Sequence, residues 1–164
     1  MQTEADNNIQ LSDIELTEQA FRKLMRASRL IRQIMEPFFE SYGISLSQWV
    51  VMRNLFRREE ATGEPCRLVD LSHQMLIRQP TLTVAITKLV LQGLVERTLV
   101  SGGDRRERRV RLTPKGREMI NQILDIRMDK IQGLLSPWEV QEKRQALELL
   151  EKLVRQLELY VQSN

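Results

Sequence analysis

The sequence predicts a mainly α protein with a small β-wing, an α+β fold of six helices and one short hairpin. Three observations lead there. Apolar residues recur at helical spacing over long stretches near both ends of the chain. The middle holds two short helical segments close together, 68–75 (LVDLSHQM) and 80–92 (PTLTVAITKLVLQ). Directly after Gly93, two strand-like runs, LVERTLV and RRVRL, flank the turn sequence SGGDRRE.

In chain order, residues 1–12 are polar and acidic and form an expected flexible arm. A first long helix is expected over about 13–38, capped by Asp13 or Thr17, with Pro37 kinking or stopping its far end. Its apolar positions include Ile14, Leu16, Phe21, Leu24, Met25, Ile31 and Met35. Ser45 or Ser47 caps a second helix over about 47–58, with Trp49, Val50, Met52, Leu55 and Phe56 as core candidates. Residues 67–68 suggest a short first strand before the helix pair. Thr113-Pro114 and Ser136-Pro137 give the same start signal for the fifth and sixth helices, the latter reaching about Val161.

Composition narrows the function. The 164 residues are 41% hydrophobic and 29% charged, enough for a real core under an ordinary soluble surface. The formal charge is only +3, so its distribution matters more than its total. Residues 1–20 hold five acidic groups and no Lys or Arg, whereas 97–111 hold six arginines against Asp104 and Glu107. A single cysteine, Cys66, excludes an internal disulfide framework, and a single histidine, His73, excludes a histidine-rich metal site. No P-loop, dinucleotide fingerprint or nucleophile elbow is present, so the chain is not expected to be an enzyme or to need a cofactor. No apolar run reaches the ~18 residues of a membrane span and no signal peptide is visible, so no membrane association and a cytoplasmic location are expected.

The helix pair and hairpin suit a DNA duplex, with one helix for the major groove and an arginine-tipped loop beside it. In the second helix of the pair, Leu82, Ile86, Leu89 and Val90 fall at core spacing. Gln79, Pro80, Thr81, Thr83, Val84, Thr87 and Lys88 fall largely on the other side and are the candidate DNA-reading residues. Their short side chains can approach base edges, by a methyl or by a hydroxyl, while Lys88 suits a phosphate near the rim. Arg78 precedes the helix, and His73 is expected to be exposed on the preceding helix, within reach of the backbone or simply facing water. Asp104, Arg105 and Arg106 stand at the wing tip. On the returning strand, alternation turns Val110 and Leu112 inward and Arg109 and Arg111 outward.

The segment from Tyr42 to Leu112 resembles the MarR family of bacterial winged helix-turn-helix transcriptional regulators. The resemblance rests on YGISLSQWVVMRNL, on LVDLSHQM with PTLTVAITKLVLQGLVER, and on DRRERRVRLTPKG. It implies a winged helix-turn-helix flanked by long N- and C-terminal dimerisation helices. The expected domains are the arm at 1–12, an N-terminal dimerisation helix at 13–44, the DNA-binding domain at 45–112 and C-terminal dimerisation helices at 113–164. It implies a homodimer on a pseudo-palindromic double-stranded operator, often repressing and often released by a small organic effector. It carries the minor-groove role to Arg106, with Asp104 bracing the arginines.

Three long amphipathic helices exceed what a reader of some 65 residues can cover. A second copy is the simplest partner, through Ile14, Leu16, Phe21, Leu147, Leu150, Leu153, Leu157 and Tyr160; a monomeric helical bundle is the alternative. An effector crevice is expected among Ile31, Met35, Phe38, Phe39, Trp49, Met52, Arg53 and Phe56, where an arginine among apolar groups suits a carboxylated or phenolic aromatic molecule. The same residues also read as plain core. Cys66 reads as an isolated semi-buried thiol. Two other functions fit the fold: a winged-helix protein-interaction module, and a nonspecific architectural DNA binder.

Overall fold

A computed structural model describes residues 12–98 and 109–163. Residues 1–11 of the expected arm at 1–12, and the wing tip with Asp104, Arg105 and Arg106, lie outside them; Ser12, the last residue of that arm, is described and belongs to the start of the first helix. The described elements run α1 (Asp13–Glu40), α2 (Leu46–Thr62), β1 (Cys66–Arg67), α3 (Leu68–Gln74), α4 (Gln79–Leu91), β2 (Val95–Thr98), β3 (Arg109–Leu112), α5 (Pro114–Leu134) and α6 (Val140–Ser163). They fall into two compact units, Met1–Arg117 and Glu118–Asn164.

The helix starts follow local hydrogen-bond chemistry. Ser12, rather than Asp13 or Thr17, caps α1: its hydroxyl accepts from the Glu15 N–H while the Glu15 carboxylate accepts from the Ser12 N–H at 3.0 Å. That backbone donor, with the Ser12 hydroxyl behind it, holds the Glu15 carboxyl below its ordinary range. Ser45 makes the same box with Gln48 at the start of α2. Pro37 neither stops nor breaks α1, which continues to Glu40. The reason is the anchor just beyond it: Phe39 is fully buried and stacked on Trp49 at 5.2 Å, and Phe38 packs edge-on against Phe39 and Tyr42. Gly63 closes α2 in the left-handed conformation that a side chain resists.

The start of α6 differs from the Ser136-Pro137 expectation. Ser136 spends its hydroxyl on the Gly133 carbonyl at the end of α5. The helix begins at Val140 instead, where the Glu142 carboxylate accepts from the Glu139 N–H at 2.7 Å. The first strand is likewise one residue earlier than expected, at Cys66–Arg67.

The three strands form an antiparallel sheet in the order β1-β3-β2, with Cys66 and Arg97 both opposite Val110, and Val95 opposite Leu112. Cys66, Val95, Val110 and Leu112 are buried, while Arg111 faces outward and pairs with Glu96 at 2.5 Å, as strand alternation requires. Around this sheet Met52, Leu55, Leu71, Leu82, Ile86, Leu89 and Leu94 complete the core of the first unit. Within the WVVM run, Val51 takes the core position and Val50 is exposed, a phase that an uninterrupted apolar run leaves open.

Two contacts fix how the sheet meets its neighbours. Glu59, 5% exposed, accepts the Leu112 N–H at 2.8 Å and pairs with Arg117. Gly116 lies so close to Leu94 that an added Cβ would overlap the Leu94 carbonyl oxygen. The same turn is tied by the Thr113 hydroxyl, which donates to the Gly93 carbonyl at 2.7 Å and accepts the Gly116 N–H at 3.1 Å.

In the first unit, Ile14, Leu16 and Phe21 of α1 are exposed; in the second, Leu147, Leu150, Leu157 and Tyr160 of α6 are exposed and Leu153 is half-buried. Among the described residues no helix is long and apolar enough to cross a membrane.

Candidate nucleic-acid interface

The site is built on α3 and α4. Their connection is a tight turn in which Leu76 adopts φ +52, a left-handed conformation that costs a non-glycine residue about 1–2 kcal/mol. The turn is held by Leu76 N–H to His73 C=O and by Ile77 N–H to Ser72 C=O, both at 3.1 Å. Arg58 of α2 clasps Asp70 of α3 at 3.1 Å, and buried Leu68 and Leu71 set α3 on the core. His73 is exposed, as its position on the helix predicts.

Leu82, Ile86 and Leu89 anchor α4 with no exposed surface. The opposite face is open: Gln79, Pro80, Thr81, Thr83, Val84, Thr87 and Lys88 are all exposed, and so is Arg78 before them. All seven α4 residues of the expected reading set are therefore accessible to a partner. Thr81 does not cap this helix. The cap position is Arg78, which makes no side-chain cap bond, in contrast to the closed boxes of α1 and α2. Among the described residues the first backbone N–H groups of α4 thus have no side-chain cap, the arrangement in which a helix start receives a phosphate oxygen.

The two reading threonines are less free than their sequence suggests. The Thr83 hydroxyl donates to the Gln79 carbonyl at 2.9 Å, and the Thr87 hydroxyl donates to the Thr83 carbonyl at 2.8 Å. Arg97 of β2 then donates to the Thr87 hydroxyl at 3.0 Å. Sequence reasoning counted Arg97 in the basic hairpin but missed this link, because only the packing of β2 beside α4 creates it. It also missed Leu91, which is 83% exposed on the reading side, one turn beyond Thr87. The periodicity that marked Thr87 as outward marks Leu91 too.

The C-terminal end of α4 is tied back by an amide relay. Gln48 donates to the Gln92 side-chain carbonyl at 2.8 Å, and Gln92 donates to the Gly43 carbonyl at 2.7 Å. Lys115 donates to the Gln92 backbone carbonyl at 3.0 Å, a cation at a helix C-terminus. The C-terminal end of α4 is thereby held against α2 and the turn that precedes it.

Of the expected crevice residues, Met35, Phe39, Trp49, Met52 and Phe56 are buried core, Phe38 is half-buried and Ile31 is exposed. Arg53 is half-buried with its guanidinium 5.5 Å from the Phe56 ring centre, and its buried Nη1 has no hydrogen-bond partner among the described residues. Cys66 is fully buried, donates to the Arg67 carbonyl, and has its thiol pKa pushed up by burial. A buried thiol of raised pKa is a poor redox sensor.

A helix pair joined by a tight turn, with an open second helix beside a three-stranded sheet, is the geometry of a winged helix-turn-helix regulator. The MarR family model matches residues 44–107. An uncharacterized HTH-type transcriptional regulator of Staphylococcus aureus is 28% identical over 121 residues, covering 71% of this chain and 75% of that protein. A MarR protein from Peptoclostridium difficile superposes with a TM-score of 0.75 at 21% identity over 99% of both chains. MepR of S. aureus, in complex with DNA, superposes at 0.72 and 21% identity over 84% of this chain and 97% of that one. Residues 44–107 match the MarR family model, and over most of its length the chain is similar to HTH-type transcriptional regulators.

Proposed function

We propose that the protein is a cytoplasmic homodimeric repressor that binds a pseudo-palindromic double-stranded operator sequence-specifically. The observation that carries the reading is the face of α4: seven exposed residues, mostly short-chained, on a helix whose start lacks a side-chain cap. An ordinary solvated helix face favours Glu, Lys and Gln at such positions. That MepR, similar in fold, is found in complex with DNA supports a duplex as the partner. On that duplex α4 takes the major groove and the arginines of the hairpin a narrow minor groove.

Exposed apolar positions on α1 and α6 support a second copy as partner. Each half of the dimer then presents one α4, with half-sites about one helical turn apart, roughly 34–36 Å. A gel shift with genomic fragments, combined with sedimentation, tests both parts. A dimer that retains a subset of fragments is expected. A monomer contradicts the dimer; retention of no fragment beyond a salt-sensitive background favours a protein-interaction module, and equal retention of all fragments an architectural DNA binder.

A small carboxylated aromatic effector fits Arg53. Its buried Nη1, without a hydrogen-bond partner among the described residues and on a guanidinium 5.5 Å from the Phe56 ring centre, is a donor suited to an anionic acceptor. A thermal-shift screen of aromatic acids, repeated on Arg53→Met, checks this. Hits on the native protein that survive the substitution unchanged rule Arg53 out.

A further inference from the structure

We propose that the Pro80, Val84, Thr87 and Leu91 stripe of α4 reads thymine through its C5-methyl group, donor contacts being left to Gln79 and Lys88 on either side of it. The inference rests on the DNA-binding reading above and specifies what that surface recognises. Pro80, Val84, Thr87 and Leu91 recur at i, i+4, i+7 and i+11, so they form one stripe along the helix. Val84 is 58% and Leu91 83% exposed, so the stripe offers continuous apolar surface to a partner rather than to the core. Thr83 flanks the stripe.

The hydrogen-bonding inventory of this stripe is nearly empty of donors. Proline and the aliphatic residues have no side-chain donor. Each threonine has one hydroxyl proton, and both protons are committed to carbonyls one turn back. Thr87 also has an oxygen lone pair engaged by Arg97. What remains outward is methyl surface and a few oxygen lone pairs. Guanine presents only acceptors, N7 and O6, in the major groove, so this stripe has nothing to offer it. Adenine and cytosine offer an amino group to a threonine oxygen. Thymine offers the one apolar group in the groove, and apolar surface is what the stripe presents.

Arg97 is a positioning residue in this scheme. By engaging the Thr87 oxygen it holds one hydroxyl orientation, and with it the placement of the threonine methyl.

The test begins with duplexes selected from a random pool by the full-length protein. Each thymine of a selected half-site is replaced in turn by uracil, which removes only the methyl group. Contacted thymines are expected to lose about fourfold in affinity, the worth of one buried methyl. At those positions 5-methylcytosine is expected to bind more tightly than cytosine. With Val84→Ala, the uracil effect is expected to fall below about twofold at the thymine that Val84 meets, while other positions keep theirs. If a preferred site is selected but every uracil substitution stays within about 1.5-fold, methyl readout is overturned and the sequence-specific regulator stands. If no site is selected, both readings fall.

Discussion

Glu59→Ala separates the structural role of the buried carboxylate from ordinary surface charge. The Glu59 side chain is only 3% exposed, and one oxygen accepts the N–H of Leu112, itself buried, at 2.8 Å. Removing the acceptor leaves that N–H inside the protein without a partner, a cost of about 1–3 kcal/mol. The other oxygen pairs with Arg117, but the arginine side chain is 44% exposed and regains water when released. Its loss therefore adds only about 0.5–1 kcal/mol. A total of about 1.5–4 kcal/mol follows for Glu59→Ala, a large share of a typical domain's stability. Glu59→Gln keeps an oxygen for Leu112 and loses only the charge, so about 1 kcal/mol is expected. Urea denaturation at one fixed protomer concentration measures both, since dimerisation makes stability concentration-dependent. If Glu59→Gln is as harmful as Glu59→Ala, charge and not the acceptor governs the site, and the reasoning is refuted.

Further outcomes follow from other residues. Gly116→Ala places a methyl against the Leu94 carbonyl, so a loss of about 1–3 kcal/mol or more is expected by the same denaturation assay, with no relief at neighbouring exposed positions. Cys66 keeps its proton to higher pH when folded than when unfolded, because burial raises its pKa. Its contribution is complete below about pH 8.5 and declines as pH climbs through the folded value; Cys66→Ala should flatten that alkaline decline in a pH series of melting curves. Thiol-labelling at pH 8 should likewise be slow in the native protein and fast in urea. Arg106→Ala should weaken binding to every duplex and make the salt dependence shallower, whereas Thr83→Ala should change the preferred base with the salt slope intact. Titrations of both variants against selected and scrambled duplexes check the contrast, and equal slopes would remove the distinction between wing and helix.

Local chemistry made much of this fold readable. Leucines at 82 and 89 with Ile86 placed α4 on the core, and Thr113-Pro114 marked where α5 starts. Other starts carried several candidate caps within a few residues. At α1 the deciding feature was Glu15, three residues after Ser12, which completes a reciprocal cap that Asp13 and Thr17 lack. At Ser136-Pro137 the right residues were present, but the serine hydroxyl was already used by the end of α5. The exposed face of α4 followed from periodicity alone. What periodicity could not show was the use of each polar atom. The back-bonded threonines and the Arg97 link depend on rotamers and on β2 lying beside α4, neither of which a one-dimensional pattern encodes. The expected crevice shows the same limit, since Met52 and Arg53 are neighbours in sequence yet one is sealed and the other holds a partnerless buried nitrogen.

The account stands on two copies of α4 meeting one duplex. The most direct measurement is selection of bound duplexes from a random pool, followed by the mass of the resulting complex in sedimentation. An inverted repeat is predicted, with half-site centres about 10–10.5 base pairs apart and two chains on each duplex. A single chain per duplex, or a bound pool with no shared sequence at moderate salt, would contradict it.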